Sequence, residues 1–161
     1  TESFARGLDA SNELRLRSSG TATFPMNRLR GAKATITTDD GREPGAKAAS
    51  RASLVVHNYL GTTWLETLAM NIPTVCFFDP SVFRPRESAR PYFELLTRAG
   101  VLHHSGADAA RFVNDLKGDP SSWWSKPEVQ DAREKFVARY ANFSENWLPG
   151  WIEEFERLLE E

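Results

Sequence analysis

The stretch from Ser53 to Phe78 constrains the fold more than any other part of this chain. Ser53-Leu54-Val55-Val56-His57 is a short apolar run without polar alternation. Thr62 to Met70 places Leu65, Leu68 and Ala69 on one helical face, and Pro73 to Phe78 is a second apolar run. Strand, helix and strand in so short a span predict a βαβ unit. A strand with one wet face alternates polar and apolar residues, so continuous apolar strands belong to parallel sheets covered by helices on both faces. The expected class is α/β, a Rossmann-like parallel sheet flanked by helices.

The pattern downstream supports that architecture. A helix is expected from Ser88 to Ala99, with Ala89, Tyr92, Phe93 and Leu96 on one face and Gly100 as its stop. Val101-Leu102 reads as a short strand. Asp108 to Lys117 and Pro127 to Tyr140 each carry an apolar stripe, Phe112, Val113 and Leu116 in the first, Val129, Ala132, Phe136, Val137 and Tyr140 in the second. Ser144 or Asn146 can cap a last helix with Leu148, Trp151, Ile152, Phe155 and Leu159 on one side and an acidic outer face that ends at Glu160-Glu161. Residues 1–50 read as irregular, since only Glu13 to Arg17 and Ala34 to Thr37 resemble strands and glycines 20, 31, 41 and 45 with Pro25 and Pro44 break the rest into turns. Residues 51–161 are regularly patterned, and 161 residues fit one domain.

Composition removes several function classes. No apolar run approaches the roughly 20 residues of a membrane span. Twenty basic and 22 acidic residues, net charge -2, make no field for a polyanion, so nucleic acid is not an expected partner. Cys76, the one cysteine, lies inside Thr74-Val75-Cys76-Phe77-Phe78, where a buried thiol is expected. No basic segment followed by an apolar stretch opens the chain, so a cytoplasmic location is expected, including a peripheral position at the inner membrane.

Ligands of open parallel sheets sit at the carboxyl ends of strands, which directs attention to His57 through Glu66. Gly61 permits close approach of a ligand to the main chain. Thr62-Thr63 opens the helix with free N–H groups, hydroxyls and the positive end of the macrodipole, which suits a phosphate. Glu66 follows Thr62 by one turn and can accept from sugar hydroxyls; alternatively, Thr62 and Glu66 only cap the helix. His57 is a candidate for proton transfer or a structural histidine. Among Arg84, Arg86 and Arg90 the preferred anion ligand is Arg86, with Arg90 expected to pair with Glu87 or Glu94. Arg15 and Arg17 share one side of the first strand and rank lower. Asp39-Asp40-Gly41 reads as a turn, His103-His104 lacks a third metal ligand, and Trp123-Trp124, Trp147 and Trp151 are expected in packing rather than on a sugar.

The segment Leu54-Val55-Val56-His57-Asn58-Tyr59-Leu60-Gly61-Thr62-Thr63-Trp64-Leu65-Glu66-Thr67-Leu68-Ala69-Met70-Asn71-Ile72-Pro73-Thr74 resembles the C-terminal domain of bacterial surface-carbohydrate transferases of the two-domain GT-B kind, distantly similar to sialyl-, Kdo- and glycerophosphotransferases. The similarity continues through Phe78-Asp79-Pro80, Arg86 to Phe93, Ala99-Gly100-Val101-Leu102, Trp123-Trp124 and Glu134-Lys135-Phe136, about two thirds of the chain. The resemblance implies that Gly61, Thr62, Thr63 and Glu66 hold the phosphate and ribose of a nucleotide-sugar donor, with Asn58, Arg86 and Arg17 beside them and His57 as the catalytic candidate. It implies no metal and no cofactor other than that substrate. It also implies a carbohydrate or lipid-linked acceptor and an N-terminal domain that supplies the base and the acceptor site, without which the chain is expected to be inactive. A non-catalytic nucleotide- or carbohydrate-binding module and a protein-interaction domain are the rival readings.

Overall fold

The computed structural model describes residues 1–17, 25–143 and 146–159. Two short parallel strands, β1 (Glu13–Leu16) and β2 (Thr35–Thr38), pair with Leu14 opposite Ile36. A three-stranded parallel sheet in the order β3-β4-β5 contains β3 (Val55–His57), β4 (Thr74–Phe77) and β5 (Leu102–His103), with His57 opposite Cys76 and Cys76 opposite Leu102. The helices are α1 (Glu2–Gly7), α2 (Gly45–Ala49), α3 (Thr62–Ala69), α4 (Arg90–Arg98), α5 (Gly106–Asp115), α6 (Pro120–Trp124), α7 (Pro127–Tyr140) and α8 (Trp147–Leu159). The chain is thus α/β, with parallel strands flanked by helices.

Every residue of β4 is buried, as a central strand covered on both faces requires, whereas β3 at the sheet edge is half-buried. Local chemistry sets the helix ends. Gly100 adopts φ +77, a left-handed conformation that stops α4, and a Cβ there would lie 2.6 Å from the Phe112 ring. Ser105 caps α5 by accepting from the Asp108 amide at 3.1 Å, while its hydroxyl donates to the Asp108 carboxylate at 2.6 Å. This is why α5 starts at Gly106, two residues before the apolar stripe suggests.

The opening of the chain holds more structure than its turn-rich composition predicts. Helix α1 lies along α5, and Phe4 stacks on Phe77 at 5.5 Å. Asn114, at the far end of α5, donates to the Gly7 carbonyl at 2.9 Å and accepts from the Asp9 amide and the Asn12 side chain, both at 3.0 Å. Since α5 leaves the carboxyl end of β5 and runs back, Asn12 is held at the amino-terminal side of the fold.

Helices α6 and α7 close the core. The Trp123 indole donates to the Ala99 carbonyl at 3.0 Å and the Trp124 indole to the Asn71 side chain at 2.8 Å, with Asn71 at φ 56 just after α3. Both tryptophans serve packing. Arg133 on α7 is buried and donates to the Leu68 carbonyl in the last turn of α3 at 3.2 Å, where it joins the Asn71 amide at 3.1 Å, and to Gln130 at 3.0 Å. Arg133→Met keeps the aliphatic stem but removes this charged hydrogen bond, and urea unfolding should show a loss of about 2 kcal/mol.

Helix α8 differs from the rest. None of its residues is buried, and Trp147, Trp151, Ile152 and Phe155 are all exposed. Of the two cap candidates, Ser144 lies outside the described residues, as do Gly20 and Glu160-Glu161. The Asn146 carbonyl accepts from the Gly150 amide at 3.2 Å. Among the described residues no helix is long and apolar enough to cross a membrane.

Candidate functional site

Helix α3 starts at the carboxyl end of the three-stranded sheet, and its N-cap is Gly61 in an extended conformation, with no side-chain cap. Neither Thr62 nor Glu66 closes the helix, so among the described residues the first-turn amides have no side-chain acceptor, and no acidic residue of the first turn offsets the positive end of the dipole. A Cβ at position 61 would lie 2.1 Å from the Tyr59 ring, so glycine lets that exposed ring lie against the main chain. A groove of about 410 Å³ opens beside this terminus. Leu60, Gly61, Thr62 and Leu65 form one wall, and Phe83, Phe93, Phe136 and Tyr140 face them. Thr63 and Glu66 do not line it. The Thr63 methyl points to Gly45 at the start of α2, and Glu66 is half-buried, its carboxylate having neither a hydrogen bond nor an ion pair among the described residues.

His57 faces α3 rather than an open crevice, with Nε2 3.1 Å from the Thr67 hydroxyl oxygen. The Thr67 hydroxyl spends its proton on the Trp64 carbonyl at 3.0 Å, so Nε2 is the donor in the His57 contact. Burial depresses the imidazole to about 4, so the ring is neutral near pH 7. Cys76, opposite it, is buried and pushed up to about 12 for the same reason. Asn58 is exposed and donates to the Thr1 hydroxyl at 2.5 Å.

The arginines separate into tethered and free groups. Arg15 and Arg17 both reach the Asp39 carboxylate, at 3.3 and 3.5 Å, and Arg17 also donates to the Gly41 and Glu43 carbonyls. Asp39 accepts from the Gly41 amide at 2.7 Å, and Gly41 has φ +71, which makes this segment the turn that its composition predicts. Arg17 thus stands at the carboxyl end of β1 but is spent on the loop after β2. Arg90 pairs with Glu87 at 2.8 Å, the expected partner. Arg86 is exposed and, among the described residues, has no acceptor for its guanidinium; it stands at the start of the 3-10 turn Glu87–Ala89, outside the groove beside Gly61.

His103 donates from Nε2 to the Gly100 carbonyl at 2.9 Å, and His104 sits edge-on to Phe78 at 5.4 Å, so each has a packing role. Among the described residues no three His, Cys, Asp or Glu side chains gather as metal ligands.

An uncapped helix terminus at the carboxyl edge of a parallel sheet, beside a groove, suits an anionic ligand. The sequence matches the family model described as LIC12162 family transferase over residues 9–155. The chain belongs to that family. No curated protein and no solved structure matches it. The part that matches the LIC12162 family runs from the approach to β1 into α8, so it contains both ends of the α3 groove as well as Arg17 and Arg86. The sequence did not single out Phe83, Phe93, Phe136 and Tyr140 as site residues. Phe93, Phe136 and Tyr140 belong to the core-facing stripes of α4 and α7 and Phe83 lies in the segment after β4, and nothing local says that they border the terminus of α3.

Proposed function

We propose that this transferase holds a nucleotide-activated sugar as the donor half of a glycosyltransferase of bacterial surface polysaccharide biosynthesis. One observation carries the reading: the first turn of α3, at the carboxyl edge of the sheet, has no side-chain cap among the described residues and no acidic residue of its own. Phosphate oxygens supply the acceptors that those amides lack, Thr62 and Thr63 add hydroxyls, and Glu66 accepts from ribose. Arg86, without an acceptor among the described residues, closes on the phosphate as charge develops on the leaving group, a role that needs no metal. Arg17 and Asn58 hold the loops on either side of this terminus. At neutral pH a neutral His57 has no imidazolium proton to deliver, so its role in this reading is to pin β3 to α3. The acceptor, a carbohydrate or lipid-linked sugar, and the catalytic base come with an N-terminal domain of the GT-B kind. The exposed apolar face of α8 packs on that domain, in the cytoplasm or at the inner face of the membrane.

Calorimetry with CMP, UDP, GDP and their sugars tests this directly. A ligand at about 100 times its Kd should raise stability by about 2.7 kcal/mol, seen as a thermal shift. Thr62→Ala, in the groove wall, and Thr63→Ala, at the open first turn of α3, should each weaken the nucleotide that binds by about tenfold while leaving the fold intact. Unchanged affinity in both variants rejects the site. No shift with any nucleotide favours the second reading, a non-catalytic interaction module, for which the exposed stripe of Trp147, Trp151 and Phe155 speaks.

A further inference from the structure

A second groove, of about 510 Å³, lies on the other side of Phe83 and Phe93, between the segment after β4 and the outer face of α4. Its apolar wall is made of phenylalanines held by one another: Phe83 meets Phe78 edge-on at 5.7 Å and stacks on Phe93 at 6.1 Å. Its charged members are unbalanced. Arg84, Arg90 and Arg98 line it with Glu94 as the one carboxylate, and Arg90 is already paired with Glu87. Arg84 and Arg98 are exposed and, among the described residues, have no acceptor of any kind. His104, edge-on to Phe78, completes the end near β5.

An aromatic floor with two unpaired guanidiniums selects a ligand with both an apolar face and a compact anion. A carboxylate is satisfied by one guanidinium fork, whereas a phosphate monoester, with close to two charges and three free oxygens, can occupy both. The volume is that of a small-molecule site. We propose that this groove binds an organic phosphate monoester, its ring or chain on Phe78, Phe83 and Phe93 and its phosphate between Arg84 and Arg98. The assignment does not rest on the donor reading, because Gly61, Thr62, Thr63, Glu66 and Arg86 take no part in it.

Phenyl phosphate is the probe, titrated into the isotope-labelled chain and followed by amide NMR shifts. The amides of Phe83, Phe93, Arg98 and His104 should move on saturation. Inorganic phosphate, benzyl alcohol and benzoate should each bind at least about tenfold more weakly, since each lacks the ring, the anion or the second charge. The double variant Arg84→Ala, Arg98→Ala removes two side chains without hydrogen bonds among the described residues, so it should keep the wild-type fold and lose about tenfold or more in affinity for phenyl phosphate. Equal binding of benzyl alcohol or inorganic phosphate overturns the proposal, as does benzoate binding as tightly as phenyl phosphate. Shifts confined to Thr62 through Glu66, or an unchanged affinity in the double variant, overturn it too.

Discussion

Phe136→Ala is expected to lower stability by about 3–5 kcal/mol, the range for truncating a fully buried aromatic ring. Phe136 is 1% exposed and stands where α7 meets α3 and α4, with ring centroids 5.1 Å from Trp64, 5.6 Å from Phe93 and 5.1 Å from Tyr140. Alanine leaves a void that its neighbours can fill only by giving up these contacts. Total stabilities of domains run to about 5–15 kcal/mol, so the variant should unfold at a markedly lower urea midpoint. Phe136→Leu, which keeps most of the volume, should cost about 1–1.5 kcal/mol. Because Phe136 also lines the groove beside Gly61, the alanine variant enlarges that groove, and any nucleotide affinity should change in the fraction that remains folded. A loss below about 1 kcal/mol would show that α7 is not seated on α3.

Acidification should reveal His57. In the unfolded chain its imidazole titrates near the ordinary 6.5, whereas in the folded chain burial holds it at about 4. Above pH 6.5 neither state is protonated and the residue contributes no pH dependence. As the pH falls from 6.5 to 4 the unfolded state takes up a proton that the folded state refuses, so stability falls, by about 3 kcal/mol at pH 4. Below 4 both states are protonated and the slope levels off. His103, also depressed by burial, adds in the same direction. Asp108 and Asp119 are held below the usual carboxylate range by the Ser105 and Ser122 hydroxyls, so their contributions are lost at lower pH and do not confuse the upper window. Urea unfolding at a series of pH values, in wild type and in His57→Gln, measures the difference in slope rather than in absolute stability. Equal slopes between pH 6.5 and 4 would mean that the His57 ring is solvated.

Much of the fold is legible before any coordinates. Pro127 to Tyr140 is a helix with those bounds, because Pro127 starts it and its apolar stripe is long enough to show the period. Strands β3 and β4 and helix α3 follow from continuous apolar runs around an amphipathic one. Helices α1 and α6, of six and five residues, are too short to display a period, and both exist through tertiary partners: Phe4 on Phe77, and the two indoles on Ala99 and Asn71. The start of α5 was hidden because the capping Ser105 precedes the apolar stripe.

The candidate site divides along the same line. By itself, the sequence determined that a glycine and two threonines open a helix after a parallel strand, because strand, turn and helix signals are local and act within a few residues. It also determined that Arg90 pairs with a glutamate close to it in the chain and that Asp39-Asp40-Gly41 turns. Only the tertiary structure decided that Gly61, not Thr62, is the cap, that Phe136 and Tyr140 face it from α7, and that Arg17 is spent on Asp39. It also decided that His57 is desolvated against Thr67. Each of these depends on burial or on a partner from another element, and the dielectric around a side chain and the identity of its neighbour come into being only when distant segments pack.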